Sequence, residues 1–272
     1  MTAGNNERVL VTFDEGVAHV QLNRPDKLNA LDSAMFDALI ETGNRLKAVP
    51  GLRAVVLSGA GKAFCAGLDM ERFQSMASGV DSTASLRLGP RVHDACNVPQ
   101  YAAMVWRSVP VPVIAAVHGA ALGGGLQIAL GADLRIVAPD SKLGLLEIRW
   151  GIIPDMGAFI VLPELMSADR IRDLAYSGRT LSGTEAATVG LATRTSDTPL
   201  EDALAMARDI ASRNPDAIRA CKAMVAAGFS PNQAQRLQLE SDAQIAIMER
   251  PNQREAVRAQ LEKRAARFID PA

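Results

Sequence analysis

Two glycine-rich segments constrain the fold of this chain most strongly, because each follows a short apolar run and precedes a predicted helix. They are residues 63–69 (AFCAGLD) and residues 118–125 (HGAALGGG). Glycine adopts positive φ and lets a ligand approach the backbone closely. The first turn of a helix adds unpaired N–H groups and the positive end of the helix dipole. The two turns can therefore point two N–H donors at one carbonyl oxygen, which is the arrangement that stabilises an enolate or a tetrahedral anion.

The composition is that of an ordinary globular protein with a sizeable core. The 272 residues are 48% hydrophobic and carry a formal net charge of -1, so no nucleic-acid or anionic-membrane partner is indicated. Cys65, Cys96 and Cys221 are widely spaced and form no CxxC pair, so we expect no disulfide framework and no metal site. No apolar run approaches the ~20 residues that span a bilayer, and the polar first residues do not resemble a secretory signal. We therefore expect a cytoplasmic protein without a membrane partner.

Short β-branched runs alternate with helical patterns in the first half of the chain. This alternation predicts an α/β fold with a mostly parallel sheet covered by helices. A hairpin is predicted around Glu15 and Gly16, and Asp32 is predicted to cap a helix that ends near Ala48. Further strands are predicted at residues 54–58, 111–117, 134–137 and 143–148.

Two regions depart from this alternating pattern. Residues 70–110 mix charges, glycines and scattered apolar positions, and we interpret them as a mobile segment over a binding pocket. From Pro199 onward the pattern predicts three or four helices, whose apolar faces lack an obvious core of their own and are expected to contact a neighbouring subunit. We therefore divide the chain into a core of residues 1–198 and a helical region of residues 199–272.

Several motifs, found in order along the chain, resemble those of a known family. They are NRPDKLNAL at residues 23–31, both glycine turns, ADLR at residues 132–135 and the stretch at residues 147–154. With these motifs the chain resembles the crotonase superfamily, also called the enoyl-CoA hydratase/isomerase family. The resemblance implies a crotonase-like spiral of ββα units with a C-terminal α-helical trimerisation region, and hence a homotrimer or a dimer of trimers. It also implies an acyl-CoA substrate, so coenzyme A enters as part of the substrate thioester and no separate cofactor is expected.

The resemblance also assigns the N–H donors and the acid–base residues. By position in the motifs, the donors are the backbone N–H groups of Leu68 and Gly124, so Leu68 also contacts the coenzyme A thioester. Family hydratases hold the added water between two glutamates; Glu147 matches the second of them, whereas Gln127 stands at the first. An amide can orient water or substrate but cannot exchange a proton at neutral pH. Asp155, eight residues after Glu147, resembles in its spacing the aspartate of the family's dienoyl-CoA isomerases.

Three functions are therefore carried as alternatives. The favoured one is double-bond isomerisation of an enoyl- or dienoyl-CoA, in which Glu147 transfers the proton and Asp155 assists. The second is hydration of a 2-enoyl-CoA, in which Glu147 activates a water that Gln127 orients. The third is an acyl-CoA-binding protein with little turnover.

Several of these residues also have purely structural interpretations. Asp155 follows a proline at a predicted helix start, so a role as a helix cap, which interacts favourably with the helix dipole, stays open beside a role in proton relay. Glu147 lies in a strand-like apolar run, where an inward carboxylate favours a functional role. We expect Cys65 to fill the core, His118 to be hydrogen-bonded at a strand end, and Asp69 to cap the following helix.

Family position also suggests contacts with coenzyme A. Arg24 and Lys27 are candidates for its phosphates, although an exposed charged turn explains them nearly as well. Ala66 is expected to offer a backbone group to the adenine or the pantetheine arm. Lys263 and Arg267, placed in the last predicted helix, are further candidates for a phosphate bound to the same or a neighbouring subunit.

Overall fold

A computed structural model describes residues 8–78, 87–227, 233–248 and 250–270. In these ranges the strands are β1 (Val9–Asp14), β2 (Val17–Leu22), β3 (Ala54–Gly59), β4 (Val113–Val117), β5 (Ala120–Leu122), β6 (Leu134–Val137), β7 (Lys142–Gly144), β8 (Leu181–Ser182) and β9 (Arg194–Thr195). The α-helices are α1 (Ser33–Leu46), α2 (Met70–Ala77), α3 (Val98–Met104), α4 (Gly124–Leu130), α5 (Ala158–Leu165), α6 (Ala168–Ser177), α7 (Gly183–Thr188), α8 (Pro199–Ala211), α9 (Pro215–Ala227), α10 (Gln233–Ile247) and α11 (Pro251–Glu262). Short 3-10 helices occupy Pro25–Lys27, Val105–Ser108 and Glu147–Trp150.

A six-stranded sheet, in the order β1-β2-β3-β4-β6-β9, forms the centre of the protein. The β1–β2 pair is the predicted hairpin and is antiparallel, whereas the other neighbouring strands are parallel. β3 and β4 are completely buried apolar runs, as expected for strands that are covered on both faces. Asp32 caps α1 as predicted, because its carboxylate accepts the N–H of Met35.

A second, three-stranded sheet in the order β5-β7-β8 brings the functional turns together. β5 and β7 are parallel, with Ala121 opposite Leu143, and Cys65 forms an isolated parallel bridge to the same Ala121. Three passes of the chain therefore run side by side in one direction. Each pass follows a strand of the large sheet and precedes a helical segment. The turns after Cys65, β5 and β7 consequently emerge at one edge.

The two faces of the large sheet bury separate hydrophobic cores. One face contributes to the main core, which also includes residues of α1, α3 and α4. The other face carries Val56 and Ile114, and α8 covers it with Ala203 and Ala207. The prediction that the helices after Pro199 lack a core within the chain is therefore wrong for α8. The sequence could not show this contact, because fully buried strands carry no alternation to reveal a second apolar face.

Three local predictions differ from the structure. The strand expected at residues 111–117 begins at Val113, directly after Pro112, which has no N–H for a sheet. The run at residues 143–148 is not one strand, because β7 ends at Gly144 and Glu147 starts a 3-10 helix. A single turn of helix has too few residues to show a helical period. The segment at residues 70–110 contains α2, α3 and a 3-10 helix, and its residues 79–86 lie outside the described part of the chain.

Lys222 anchors α9 to the core. Its ammonium donates to the carbonyl oxygens of Val111 at 2.9 Å and Trp106 at 3.3 Å, and to the carboxylate of Asp133 at 2.7 Å. That carboxylate also accepts the N–H of Val113 at 2.7 Å. Burial lowers the pKa of Lys222, and the negative charge of Asp133 opposes this shift.

Within the described ranges, no helix is both long enough and apolar enough to cross a bilayer.

We predict that Lys222→Met destabilises the protein by about 2–4 kcal/mol, because it leaves two carbonyl groups and a carboxylate without their donor. Arg213→Ala is the matched control. Arg213 pairs with Asp209 on the exposed side of α8, and the loss of such a surface pair costs less than about 0.5 kcal/mol. Urea denaturation followed by circular dichroism measures both free energies of unfolding. Equal values for the two variants would show that Lys222 is not an anchor.

Candidate active site

A cavity with a volume of about 520 Å³ opens where the three turns meet. The predicted site residues Leu68, Gly124, Gln127, Glu147 and Asp155 all line it. Among the described lining residues, the last three carry the only carboxylate or amide side chains. The rest of the wall is largely apolar and includes Leu31, Phe36, Met70, Phe73, Met76, Leu88, Pro99, Leu122, Leu146, Trp150, Ile152, Ile153 and Met156.

The two glycine turns lie in direct contact, which brings Leu68 close to Gly124. A Cβ on Gly67, whose φ is +91°, would lie 2.6 Å from the carbonyl oxygen of Leu122 and 3.6 Å from the nitrogen of Gly124, so only glycine fits there. Gly124 is the first residue of α4, and its N–H therefore has no acceptor within the helix. The neighbours of Leu68 form the bridge to Leu31, and no described backbone carbonyl accepts the N–H of Leu68 itself. Among the described residues, the two contacting turns thus each offer a backbone N–H that has no backbone acceptor.

Glu147 follows β7, and its carboxylate reaches the second glycine turn. A Cβ on Gly123 would lie 3.4 Å from its Oε1. Oε1 accepts an N–H of Gln127 at 2.7 Å, whereas Oε2 is buried without a hydrogen-bond partner among the described groups. Burial raises the pKa of Glu147, and the charge of Asp155 adds to the shift, whereas hydrogen bonds from its own backbone N–H and from Gln127 oppose it. The carboxylate is therefore more basic than an ordinary glutamate and has one free oxygen.

The side-chain amide oxygen of Gln127 accepts hydrogen bonds from the protein backbone. Its side chain is buried in α4, and its Oε1 accepts the N–H of Met156 at 2.7 Å and the N–H of Ala158 at 3.3 Å. Its Nε2 donates to Glu147. An amide oxygen has two lone pairs. Gln127 therefore has no acceptor left for a water in the cavity.

Asp155 lies in the turn between the 3-10 helix and α5. The N-cap of α5 is Gly157, with φ +100° and no side-chain hydrogen bond. The interpretation of Asp155 as a helix cap is therefore wrong, because a left-handed glycine begins the helix two residues later. Burial raises the pKa of Asp155, and its charge in turn raises the pKa of Glu147. The cavity thus holds two carboxylates that both favour a proton more than usual.

A largely buried ion pair supports the first glycine turn. The guanidinium of Arg24 binds the carboxylate of Asp69, donates to the carbonyl oxygen of Ala30 at 3.2 Å and lies 3.8 Å from Asp32. Asp69 caps α2 as predicted, because it accepts the N–H of Glu71 at 3.0 Å. The Arg24 side chain is only 11% exposed. The structure thus shows Arg24 supporting the first glycine turn, and its contact with a phosphate stays a prediction.

Lys27 and Ala66, the other suggested coenzyme A contacts, lie near the first glycine turn. Lys27 is exposed, and its ammonium lies 3.5 Å from the carboxylate of Glu71. The N–H of Ala66 donates to the carbonyl oxygen of Leu28 at 2.9 Å. Ala66 therefore has its carbonyl group, and not its N–H, to offer to a ligand.

Lys263 and Arg267 lie beyond α11 and not in the last helix. Lys263 is the left-handed residue that ends this helix. Farther along the tail, Phe268 and Asp270 line a surface hollow with Gly16, at the start of β2. The cavity lies near the opposite, carboxyl-terminal ends of the strands of the large sheet. The structure does not bring the two basic residues to the cavity of their own chain.

The remaining polar candidates have structural roles. Cys65 is fully buried, and burial raises the pKa of its thiol to about 12. The Nε2 atom of His118 lies 2.9 Å from the carbonyl oxygen of Gly61. In the part of the chain that the structure describes, no three His, Cys, Asp or Glu side chains are grouped to hold a metal ion.

Sequence analysis missed two aromatic residues of the cavity wall. The rings of Phe73 in α2 and Trp150 are stacked, with centroids 3.9 Å apart. This contact joins the segment after the first turn to the 3-10 helix that carries Glu147. The sequence feature that could have indicated this role is the position of Trp150, three residues after Glu147.

We predict that Glu147→Gln stabilises the folded protein at neutral pH, because burial without a partner on Oε2 disfavours the ionised carboxylate. Folding raises the pKa of Glu147. The unfavourable effect is therefore absent below the unfolded pKa, grows as the pH rises above that value, and is complete above the folded pKa. The gain in Tm, roughly 2 °C or more at about pH 8, should vanish near pH ~4.

Glu41→Gln, at an exposed position of α1, is the control and should change Tm little at either pH. Scanning calorimetry at the two pH values measures the difference. A lower Tm for Glu147→Gln at the higher pH would contradict this view of the site.

Comparison with known proteins identifies the family of this chain. The family model described as Enoyl-CoA hydratase/isomerase matches residues 12–271. The chain is 30% identical over 270 residues to the mitochondrial Delta(3,5)-Delta(2,4)-dienoyl-CoA isomerase of Mus musculus. This match covers 97% of this chain and 83% of that protein. It is also 30% identical over 263 residues to a probable enoyl-CoA hydratase of Bacillus subtilis, covering 96% and 98% of the two chains. The crystal structure of an enoyl-CoA hydratase from Bacillus anthracis matches with a TM-score of 0.87 at 30% identity, over 96% of this chain and 98% of that chain. With its α/β fold and paired glycine turns, the chain belongs to the enoyl-CoA hydratase/isomerase family, the crotonase family.

Proposed function

We propose that this protein isomerises a double bond of an enoyl-CoA or dienoyl-CoA thioester. The observation that carries the proposal is the set of hydrogen bonds that the Gln127 side chain makes within the protein. Its amide oxygen already accepts two backbone N–H groups, so Gln127 could hold a water only through the second N–H of Nε2 and could not take a proton from it. Glu147 and Asp155 are the lining side chains that can exchange protons. Isomerisation needs proton transfer and no activated water.

In this reaction the thioester oxygen accepts the N–H groups of Leu68 and Gly124. These donors stabilise the negative charge that develops on the oxygen when a proton leaves the neighbouring carbon. Oε2 of Glu147 takes that proton, and the electron pair of the broken C–H bond is delocalised as an enolate. A proton then returns to a more distant carbon, so one C–H bond forms and the double bond moves. Asp155 assists Glu147 or relays the returning proton.

The surroundings of the carboxylates support this chemistry. Burial raises the pKa of both Glu147 and Asp155, so one can act as a base while the other holds a proton. The apolar wall fits a hydrocarbon acyl chain, whereas a charged acyl group would lose its hydration without gaining a partner. We therefore propose an unsubstituted acyl chain as the substrate group.

Hydration of a 2-enoyl-CoA is the second candidate. The relatives carry names of both kinds at 30% identity, so similarity over the whole chain does not separate the two reactions. In a hydratase built on this chain Glu147 would activate the water, and the second N–H of Gln127 or the carboxyl group of Asp155 would orient it.

An acyl-CoA-binding protein with little turnover is the third candidate. The free, buried Oε2 of Glu147 counts against it. A site that only binds gains nothing from an ionisable group that destabilises the fold.

We also propose a homotrimer or a dimer of trimers that assembles through the C-terminal helices. α10 and α11 expose large apolar side chains that a second copy would cover, namely Leu237, Ile245, Val257 and Leu261. In such an assembly Lys263 and Arg267 would meet a phosphate of an acyl-CoA bound to a neighbouring copy.

A cytoplasmic location and the division of the chain at residue 198 stay predictions. The packing of α8 on the large sheet favours a domain boundary after α8.

We predict that Glu147→Gln lowers kcat for isomerisation by about 100-fold or more, because it removes the base but keeps its size and its hydrogen bond. Asp155→Asn should lower isomerisation of a 3,5-dienoyl-CoA to a similar extent while KM stays within about 3-fold. Product analysis in heavy water, with 2-enoyl-, 3-enoyl- and 3,5-dienoyl-CoA as substrates, measures these rates. An efficient parental hydratase whose rate is unchanged by Asp155→Asn would reject isomerisation in favour of hydration.

We predict that Gly124→Pro lowers kcat roughly 100-fold relative to Gly124→Ala. Both variants add a Cβ, which would lie 2.9 Å from Leu31 Cδ1 and 3.0 Å from Met156 Sδ, but only proline removes the N–H. Proline is tolerated at the first position of a helix, so the Pro variant should still fold. Steady-state rates, with circular dichroism as the check on folding, compare the pair. Equal rates would exclude this N–H as a donor to the substrate.

A further inference from the structure

We propose that Gln127 is a positioning residue that confines proton exchange to Oε2 of Glu147 and holds the turn of Asp155 beside it. The inference rests on the proposed function in one respect, namely that Glu147 is the base. It concerns how one neutral side chain controls two acidic ones.

The first step is the orientation of the Gln127 amide. Its Oε1 faces two backbone N–H groups, those of Met156 and Ala158. A rotated amide would point its own N–H groups at these donors and leave all of them without an acceptor. The protein therefore fixes Nε2 on the opposite side, where it meets Glu147.

The second step is the choice between the two oxygens of Glu147. Oε1 lies 2.7 Å from Nε2 of Gln127, so that N–H occupies one of its two lone pairs and makes Oε1 the less basic oxygen. Oε2 is buried and free of partners in the described part of the protein. Proton exchange is therefore directed to Oε2. Without the amide, the carboxyl group could hold its proton on either oxygen.

The third step links the second carboxylate to the same side chain. The two N–H groups that Gln127 binds belong to residues on either side of Gly157, and Met156 directly follows Asp155. Gly157 has a φ of +100°, so this turn has a backbone shape that must be held by its surroundings. One amide in α4 thus fixes both the oxygen of Glu147 and the turn that carries Asp155.

The hydrogen bond also influences the titration of Glu147. Burial and the charge of Asp155 raise the pKa of Glu147, and hydrogen bonds from its own backbone N–H and from Gln127 lower it. Among the described residues, Asp155 is the charged group that contributes to this shift. Loss of the bond should therefore raise the pKa further, so the protein would need a higher pH to ionise its base.

Two substitutions separate the parts of this role. Gln127→Met is similar in size and removes all three hydrogen bonds. Gln127→Glu keeps an acceptor for the N–H groups of Met156 and Ala158, but it places a second carboxyl group beside Glu147, and the pair would share one proton. Leu126→Met, at a buried neighbouring position in α4 that does not line the cavity, is the control for a buried methionine.

The primary measurement is the titration of Glu147 in the substrate-free protein by carbon-13 NMR of labelled glutamate, with its signal assigned by its loss in Glu147→Gln. We expect the titration midpoint to increase in the order parent, Gln127→Met, Gln127→Glu, with Leu126→Met equal to the parent. The acid limb of kcat/KM should move in the same order. In Gln127→Met, kcat near neutral pH should fall about 10- to 100-fold, with KM within about 3-fold.

An unchanged midpoint and acid limb in a folded Gln127→Met protein would overturn the proposal. Where that variant does not fold, Gln127→Glu decides, because it keeps the bonds that hold the turn; a midpoint equal to the parent's would then overturn the proposal. The NMR titration needs no substrate. A finding that the parent hydrates rather than isomerises would therefore reject the proposed function and leave this result standing.

Discussion

The parallel pairing of three chain passes in the small sheet is the constraint on which the site depends. Cys65 and Leu143 pair with the same residue of β5, one on each side of it. Leu68 and Gly124 each lie three residues beyond their paired positions, and Glu147 lies four beyond. A slip of one residue in either pairing would displace one group by about 3.3 Å. A hydrogen bond tolerates a few tenths of an ångström, so register in this sheet is what assembles the chemistry.

The use of backbone donors also determines the electrostatics of the cavity. Two N–H groups can stabilise an anion without adding a cation to the wall, and a cation there would lower the pKa of the carboxylates. The guanidinium nearest to the first turn, that of Arg24, is held by Asp69 and Asp32. Glu147 and Asp155 consequently keep raised pKa values, with burial as the main cause in each.

The sequence predicted those features that depend on neighbouring residues. The hairpin around Gly16, the cap at Asp32 and both glycine turns were predicted, because alternation, capping preferences and positive φ are local properties. The family resemblance then grouped the five site residues, and the structure does place them around one cavity.

Contacts between distant parts of the chain were not predictable in this way. The partner of Arg24 lies 45 residues away, and the amide of Gln127 binds groups 20 to 31 residues away. Nothing in the local pattern distinguishes a lysine that anchors α9 from one that faces solvent. The same holds for Asp155, whose place before a left-handed glycine, and not at the helix start, is set by the bond between Met156 and Gln127.

Because the two proposed anion-binding groups belong to the backbone, they do not depend on which side chains surround them. In the proposed reaction the groups that move protons are the side chains of Glu147 and Asp155, and the side chain of Gln127 positions them. A lineage can therefore exchange one reaction for another by a few codon changes while the enolate-binding turns stay intact. Relatives that match this chain at the same 30% identity do carry the names of different reactions. For this fold, evolutionary distance and chemical distance are separate quantities.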